Sequence, residues 1–322
     1  MHVLVTGGAG YVGSTVVPLL LQQGHRVRVL DLLCHGGQPL LGVSGHPSFE
    51  FRKGDVRDPA AVREAVRGVD AVVHLAAVVG DPACARAPEL ARAVNLEASL
   101  ALVEECRRAR VGRFVFASTC SNYGRMKDPS CYVDETSELA PVSLYAETKV
   151  AVERALLDPG QTDGLTATPL RFATVFGVSP RMRLDLTVNE FTAEMLTKAR
   201  LLVYGEQFWR PYVHVRDAAR AIAQVLAAPG GLVRNQVFNV GSTEQNYQKR
   251  QLVDLIRPYA PQATVEYVQR DEDPRDYRVS FARIHERLGF AVALTVPDGI
   301  EEVARLVRSG LLGDLSESRY RN

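Results

Sequence analysis

The feature that most constrains this chain is the run Thr6-Gly7-Gly8-Ala9-Gly10-Tyr11-Val12-Gly13, set between a short apolar strand and the first amphipathic helix. Glycines at this spacing permit a tight turn and let a diphosphate approach the backbone closely. The helix that opens beyond them offers unpaired N–H groups and a partial positive charge to the same anion. The run satisfies Gly-x-x-Gly-x-x-Gly through Gly7, Gly10 and Gly13, and Gly-x-Gly-x-x-Gly through Gly8; Tyr11 and Val12 are read with it as cofactor-binding positions. The bland alternative is a glycine-rich turn with no ligand, and the surrounding pattern argues against it.

That pattern alternates strands and helices. Residues 2–5, 26–30, 49–53, 71–75 and 113–117 are short β-branched runs predicted as strands, and 12–23, 59–66, 88–109 and 144–157 have helical spacing. Such alternation predicts an α/β class fold, a Rossmann doubly wound parallel sheet with helices on both faces. After Pro159-Gly160 the rhythm loosens; 170–176 and 237–240 are predicted as two more buried strands. The expected division is a dinucleotide-binding domain over 1–176, to which strand 236–241 returns. A smaller α+β substrate domain is expected over 177–235 and 242–322. The polar residues 316–322 are expected to fray.

At 322 residues the chain has room for about two domains. Hydrophobic residues at 46% and charged residues at 23% exclude a disordered chain, and a net charge of +1 argues against a dedicated nucleic-acid binder. Five cysteines, an odd number with no Cys-x-x-Cys pair, predict reduced thiols and no metal site. The start runs from Met1 into Val3-Leu4-Val5 without a basic leader, and no apolar run approaches about 18 residues, so a cytoplasmic protein off the membrane is expected.

Asp31 closes the second predicted strand, 18 positions after Gly13, where a carboxylate accepts hydrogen bonds from an adenosine ribose. A 2′-phosphate would meet a like charge there, and Leu32-Leu33-Cys34-His35 brings no Lys or Arg to offset it, so NAD is expected over NADP. In Gly54-Asp55-Val56-Arg57-Asp58, Asp55 and Val56 stand where an adenine amino group is met. His74-Leu75-Ala76-Ala77 ends the fourth strand with small residues suited to backbone packed on the cofactor, His74 itself being expected in the core.

Tyr145 and Lys149 are four residues apart, hence on one face of a helix. A Lys⁺ and the positive nicotinamide ring are expected to bring the Tyr145 phenol, ordinarily near pKa 10, within reach of neutral pH. Such a phenol takes a proton from a substrate hydroxyl while a hydride leaves the same carbon. The fifth strand runs into Ser118-Thr119-Cys120-Ser121-Asn122-Tyr123-Gly124, so Thr119 is the first choice to bond the reacting oxygen, with Ser118 and Ser121 as supports.

Taken in order, the glycine turn, Asp31, Gly54-Asp55-Val56-Arg57-Asp58, His74-Leu75-Ala76-Ala77, Asn95, the Ser118–Gly124 run, Tyr145-Ala146-Glu147-Thr148-Lys149 and Arg210-Pro211-Tyr212-Val213-His214-Val215-Arg216-Asp217 resemble the extended short-chain dehydrogenase/reductases. Within these the chain is similar to the NAD-dependent nucleotide-sugar epimerase/dehydratase family. The resemblance implies Tyr145 as base, Lys149 on the nicotinamide ribose, and Asn95 positioning the cofactor side. It places Phe172 at the nicotinamide face, Tyr204 at the nucleotide base and Arg210 at the diphosphate. It also implies a homodimer paired through 88–109 and 144–157.

Departures from the family pattern shape the functional expectation. Sugar dehydratases carry Asp and then Glu after the Thr, the acid and base that expel water; Cys120 and Ser121 stand there. Thr174 replaces a family Asn, and Asp273-Pro274-Arg275-Asp276 replaces an Arg-x-Gly-Asp phosphate clamp. Asn189, Arg181 and Arg183 fall in a substrate loop. The leading expectation is therefore a C4 epimerase of a nucleotide sugar, working by transient oxidation. A keto-sugar reductase using NAD(P)H is the alternative, a dehydratase comes third, and a dinucleotide-binding sensor without chemistry is the reading from another class.

Overall fold

Seven parallel strands form the main sheet, in the order β10-β6-β5-β4-β1-β2-β3. The computed structural model describes residues 1–126, 128, 131–158, 164–270 and 275–322. In chain order the elements are β1 (His2–Thr6), α1 (Gly13–Gln22), β2 (Arg26–Asp31), β3 (Phe49–Lys53), α2 (Pro59–Val66), β4 (Ala71–His74), α3 (Asp81–Arg86), α4 (Pro88–Arg92), α5 (Ala98–Arg108), β5 (Arg113–Thr119) and α6 (Leu144–Leu156). There follow β6 (Thr166–Phe172), β7 (Thr174–Phe176), α7 (Thr187–Thr197), β8 (Arg200–Tyr204), β9 (Trp209–His214), α8 (Val215–Ala227), α9 (Gly230–Val233) and β10 (Phe238–Val240). Last come β11 (Asn246–Gln248), α10 (Lys249–Ile256), β12 (Thr264–Val268), α11 (Ala282–Leu288) and α12 (Val296–Arg308).

Strand order reverses between β1 and β4, and that switch point opens a crevice at the carboxyl ends of the strands. Both faces of the sheet are covered, so β1, β4 and β5 read as continuous apolar runs and are almost wholly buried. One core lies under α1 and α8, with Val3, Val16, Leu20 and Ile222; the other lies under α2, α5 and α6, with Leu4, Leu102, Phe114 and Phe116.

Four features differ from the expectation. The single strand predicted over 170–176 is two: β6 stays in the main sheet, Ala173 donates its N–H to Val240, and β7 leaves to pair with β9 in a three-stranded sheet. The chain changes sheets here because the register that buries Phe172 in one core buries Phe176 in another. The helix predicted over 88–109 contains a π-helical turn, Ala93–Glu97, which bears Asn95. Helix α8 lies in 177–235 yet packs on α1, because Ala218, Ala221, Ile222 and Val225 share the main core. The tail does not fray: Tyr320 is buried, its carbonyl accepts from Leu184 N–H at 2.8 Å, and Arg181 donates to the Arg321 carbonyl at 2.9 Å.

The second layer joins β7, β9 and β11 to α7, α10 and α12 around Phe176, Val188, Tyr212, Leu252 and Ile300, with β8 and β12 as a parallel pair beside them. Among the described residues no helix is long and apolar enough to cross a membrane.

Candidate active site

The glycine turn is folded against itself and against the end of β4. A Cβ on Gly7, whose φ is +74°, would lie 2.7 Å from the Ala76 nitrogen, and one on Gly13 would lie 2.3 Å from the Gly7 oxygen. A side chain at Gly10 would meet only the Gly7 oxygen, at 3.1 Å, so the turn is open on that side. No side chain caps α1; its Ser14 N–H donates to the Gly10 carbonyl at 2.9 Å and its Thr15 N–H to the Val12 carbonyl at 3.0 Å, so it is the turn and the N–H of Gly13 that face a ligand. Tyr11 turns its ring away: its hydroxyl donates to the Gly177 carbonyl at 2.6 Å, so only its main chain belongs to the turn.

Asp31 is aimed at the turn. Its carboxylate accepts the N–H of Ala9 at 2.9 Å and of Leu33 at 2.8 Å, two of about four acceptor positions, leaving room for ribose hydroxyls. Asp55 is engaged by the Arg57 guanidinium at 2.6 Å, which holds its carboxyl below the usual range; Val56 beside it is buried. The Asp55 oxygens expected to meet adenine therefore already have a cationic partner. The backbone of Leu75 and Ala76 bonds Thr6, at 3.1 and 3.4 Å, and the half-buried Ala77 follows. The glycine cradle, the uncapped helix and the Asp31 carboxylate together fit a dinucleotide.

His74 is a core residue, bridging Thr6 Oγ1 at 2.6 Å and Ser99 Oγ at 2.9 Å, and burial pushes its pKa down to about 3. Asn95 clamps the loop after β4 by accepting from Val78 N–H at 2.8 Å and donating to the Val78 carbonyl at 2.9 Å.

Helix α6 brings Tyr145 and Lys149 to the crevice. Ser143 caps it, accepting from Ala146 N–H and donating to Asp81 at 2.7 Å. Lys149 is buried and donates to the Ala117 carbonyl at 2.8 Å, with its nitrogen 5.8 Å from the centre of the Tyr145 ring. Burial pushes its pKa down to about 8, and burial pushes the Tyr145 phenol up. Burial thus holds the phenol neutral, and the lowering expected from Lys149 together with the nicotinamide ring has that desolvation to overcome.

Thr119 ends β5 with its Oγ1 accepting from Ser121 N–H at 3.1 Å, which leaves its own O–H to donate. Ser118 faces elsewhere, because side chains alternate along a strand. Its hydroxyl bonds Glu153, which also accepts from Asn122 at 2.9 Å and from Arg171 at 2.7 Å. Ser118 belongs to that buried cluster and not to the phenol's surroundings. Cys120 is buried, donates to the Arg171 carbonyl at 3.2 Å, and burial pushes its thiol well up.

The other predicted substrate residues divide. Arg210 is buried over the Tyr277 ring, 5.5 Å from its centre, and donates to the carbonyls of Trp209 and Arg275. Phe172 is buried at the end of β6, and Thr174, half-buried, begins β7. Tyr204 is exposed at the end of β8 under Arg270. Asn189 is fully buried and holds the turn before α7, donating to the Arg183 carbonyl at 2.8 Å and accepting from Gly177 N–H at 2.9 Å. Asp276 accepts from Trp209 N–H at 2.8 Å. Asn189 is corrected to a backbone support, since its buried amide already serves the main chain on both sides, whereas Asp276 commits one carboxylate oxygen to the main chain. Arg183 pairs with Asp185, and Arg181 binds the tail. Asp273 and Pro274 of the predicted clamp, like Pro159 and Gly160, lie outside the described residues.

Sequence reasoning missed two groups. Glu153 lies one helical turn beyond Lys149, and the lone Arg171 interrupts an apolar strand; together these could have signalled the buried pair. Tyr277 gave no signal, because its neighbourhood is assembled from β5, β9 and the segment after β12.

A family model described as the NAD dependent epimerase/dehydratase family matches residues 3–241. A dTDP-glucose 4,6-dehydratase of Streptomyces griseus is 33% identical, covering 93% of this chain and 92% of that one. A UDP-glucose 4-epimerase of Streptomyces lividans is 30% identical, covering 89% and 90%. The crystal structure of the Thermus thermophilus UDP-glucose 4-epimerase in complex with NAD is similar at a TM-score of 0.84 and 30% identity, covering 97% of this chain and 100% of that one.

Proposed function

The chain belongs to the NAD-dependent epimerase/dehydratase family, an enzyme family acting on nucleotide sugars, and from that premise we propose that it is a nucleotide-sugar epimerase working at C4. The observation that carries the choice is the pair that follows Thr119. Cys120 is a buried neutral thiol bonded to the Arg171 carbonyl, and Ser121 is a hydroxyl, so neither supplies the carboxyl acid or base that expels water in a dehydratase.

Bound NAD supplies a reversible hydride acceptor. Tyr145 removes the proton of the C4 hydroxyl, Thr119 donates a hydrogen bond to the reacting oxygen, and Lys149 fixes the helix and the cofactor ribose beside them. The keto sugar turns over within the chamber, so that the hydride comes back to the opposite face of C4 while Tyr145 gives the proton back to the oxygen. Gly7, Gly10, Val12, Gly13 and the main chain of Tyr11 receive the diphosphate, Asp31 the ribose, and Leu75, Ala76, Ala77 and Phe172 line the cofactor. Arg210 and Tyr204 face the nucleotide side of the substrate, with Thr174 near them. Two copies pair through the faces of α4 to α6, where Leu90 is exposed; sedimentation velocity reads this as a dimer or a monomer.

An epimerase keeps its cofactor through each cycle. Denaturing the purified protein and identifying the released dinucleotide should give NAD close to one per chain. A protein that releases none and turns over a keto sugar only with added NADH or NADPH would replace this reading with the reductase.

A further inference from the structure

Asp81 opens α3 just after Gly80, whose φ of +94° turns the chain out of the loop that Asn95 clamps at Val78. Its carboxylate serves two elements at once. One oxygen accepts the Ser143 hydroxyl at 2.7 Å, and the other accepts from the Arg275 guanidinium at 2.9 Å. Ser143 is the N-cap of α6, accepting Ala146 N–H at 3.3 Å, and Tyr145 lies two residues beyond it. A serine hydroxyl that donates to a carboxylate keeps its lone pairs aimed at the helix, so Asp81 fixes the cap of the helix that bears the candidate base. Arg275 is fixed as well. Its carbonyl accepts from Arg210, and the Asp276 carbonyl after it accepts Met126 N–H at 2.9 Å.

The same carboxylate also acts on the phenol by its charge. Burial pushes the Tyr145 phenol up, and the groups that act on it besides are Cys84 and Asp81 of α3, Arg183, Tyr277, and Lys149 of its own helix. Burial keeps the Cys84 thiol and the Tyr277 phenol protonated near neutral pH, and Arg183 is paired with Asp185 at 2.8 Å. Of these five groups Asp81 is therefore the one that brings a negative charge, and a negative charge opposes ionisation of a base. Arg275, on its other oxygen, offsets that charge.

Resting on the reading of Tyr145 as the base of a nucleotide-sugar epimerase, we propose that Asp81 and Arg275 are a pair of positioning residues for it. Asp81 orients the Ser143 cap and with it the start of α6, and Arg275 offsets the charge that this orientation brings near the phenol. Both act through Tyr145 and not on the reacting atoms. The pair also joins the helix that bears Tyr145 to the segment after β12.

The test is carbon-13 NMR of the NAD-loaded protein labelled at the tyrosine ζ carbon, with the Tyr145 signal identified by its loss in Tyr145→Phe and followed against pH. The inference expects the ionised fraction at a given pH to be about two- to fivefold higher in Asp81→Asn, the effect of one partly screened charge, and lower by a smaller factor in Arg275→Met. Hydrogen exchange reads the cap. The Ala146 N–H should exchange about three- to tenfold faster in Asp81→Ala and regain the parent's rate in Asp81→Asn, whose amide oxygen still accepts from Ser143. The same ionised fraction in parent, Asp81→Asn and Arg275→Met overturns the inference, as does Ala146 exchange that Asp81→Asn fails to restore. Arg275→Met carries the test if the Asp81 variants do not fold. A parent that converts neither UDP-glucose nor dTDP-glucose refutes the epimerase reading for both sugars, and the NMR comparison still decides the role of the pair.

Discussion

Lys149 donates its ammonium to the main-chain oxygen of Ala117, 2.8 Å away, and this bond ties the helix that bears Tyr145 to the strand that ends in Thr119. The two candidate reacting side chains are thereby set in one space by a third.

Tyr145→Phe should lower turnover by a factor of about 10² to 10⁴ while retaining bound NAD, because it removes the proton carrier and little volume. Lys149→Met should lower both turnover and NAD content, since it leaves the Ala117 carbonyl without its donor and the ribose without a contact. Steady-state rates beside released NAD check both; a Tyr145→Phe protein as active as the parent would remove Tyr145 from the base role.

The cluster of Ser118, Asn122, Glu153 and Arg171 is structural, so its variants should report in stability. Arg171→Met leaves the buried Glu153 carboxylate unpaired and should cost about 3–5 kcal/mol in urea unfolding. Ser118→Ala should cost about 1 kcal/mol and leave turnover within a few-fold of the parent. A thousandfold loss of turnover in Ser118→Ala, with stability unchanged, would return Ser118 to the reaction.

Gly13→Ala places a methyl against the Gly7 carbonyl and should yield a protein that retains little NAD, whereas Gly68→Ala, with open space around it but φ +71°, should lose only about 1 kcal/mol of stability and no NAD. Dinucleotide release from the two variants separates a cofactor cradle from a general intolerance of turns.

The pH dependence of stability follows from His74. Its pKa is about 3 in the folded protein against an ordinary value of 6.5, so between these values the unfolded chain binds a proton that the folded chain does not. Stability therefore falls as pH drops below about 6.5. At pH 5 this one group should account for about 2 kcal/mol, from 1.5 pH intervals at about 1.4 kcal/mol each. Urea unfolding of His74→Gln, referenced to its own stability at pH 7.5, should show that much less loss; an identical loss would locate the acid sensitivity elsewhere.

The parallel sheet was legible because buried strands such as Val3-Leu4-Val5 and Val72-Val73 leave unbroken apolar runs, and because Gly7 to Gly13 mark the turn by necessity of space. Asp31 and the Tyr145–Lys149 pair were legible for a similar reason, a fixed spacing along one local element. What escaped depends on long-range packing. Ser118 and Thr119 are adjacent in sequence and face opposite sides of β5, so a strand end rich in hydroxyls does not reveal which one enters the crevice. Asn189 has the chemistry of a ligand contact, yet the strained turn at Gly177, φ +101°, claims it first. The role of α8 was hidden because its alanine-rich face suits either core, and β7 was hidden because only Ala173 separates it from β6.

The most direct test of the epimerase account is proton NMR of UDP-glucose and dTDP-glucose incubated with the purified protein in D2O, without added dinucleotide. The account predicts a C4 epimer of at least one of them, carrying no deuterium, because the hydrogen removed from C4 is returned to C4. A product that has lost water and gained solvent deuterium would contradict it and would identify the chain as a dehydratase working without the usual carboxyl pair.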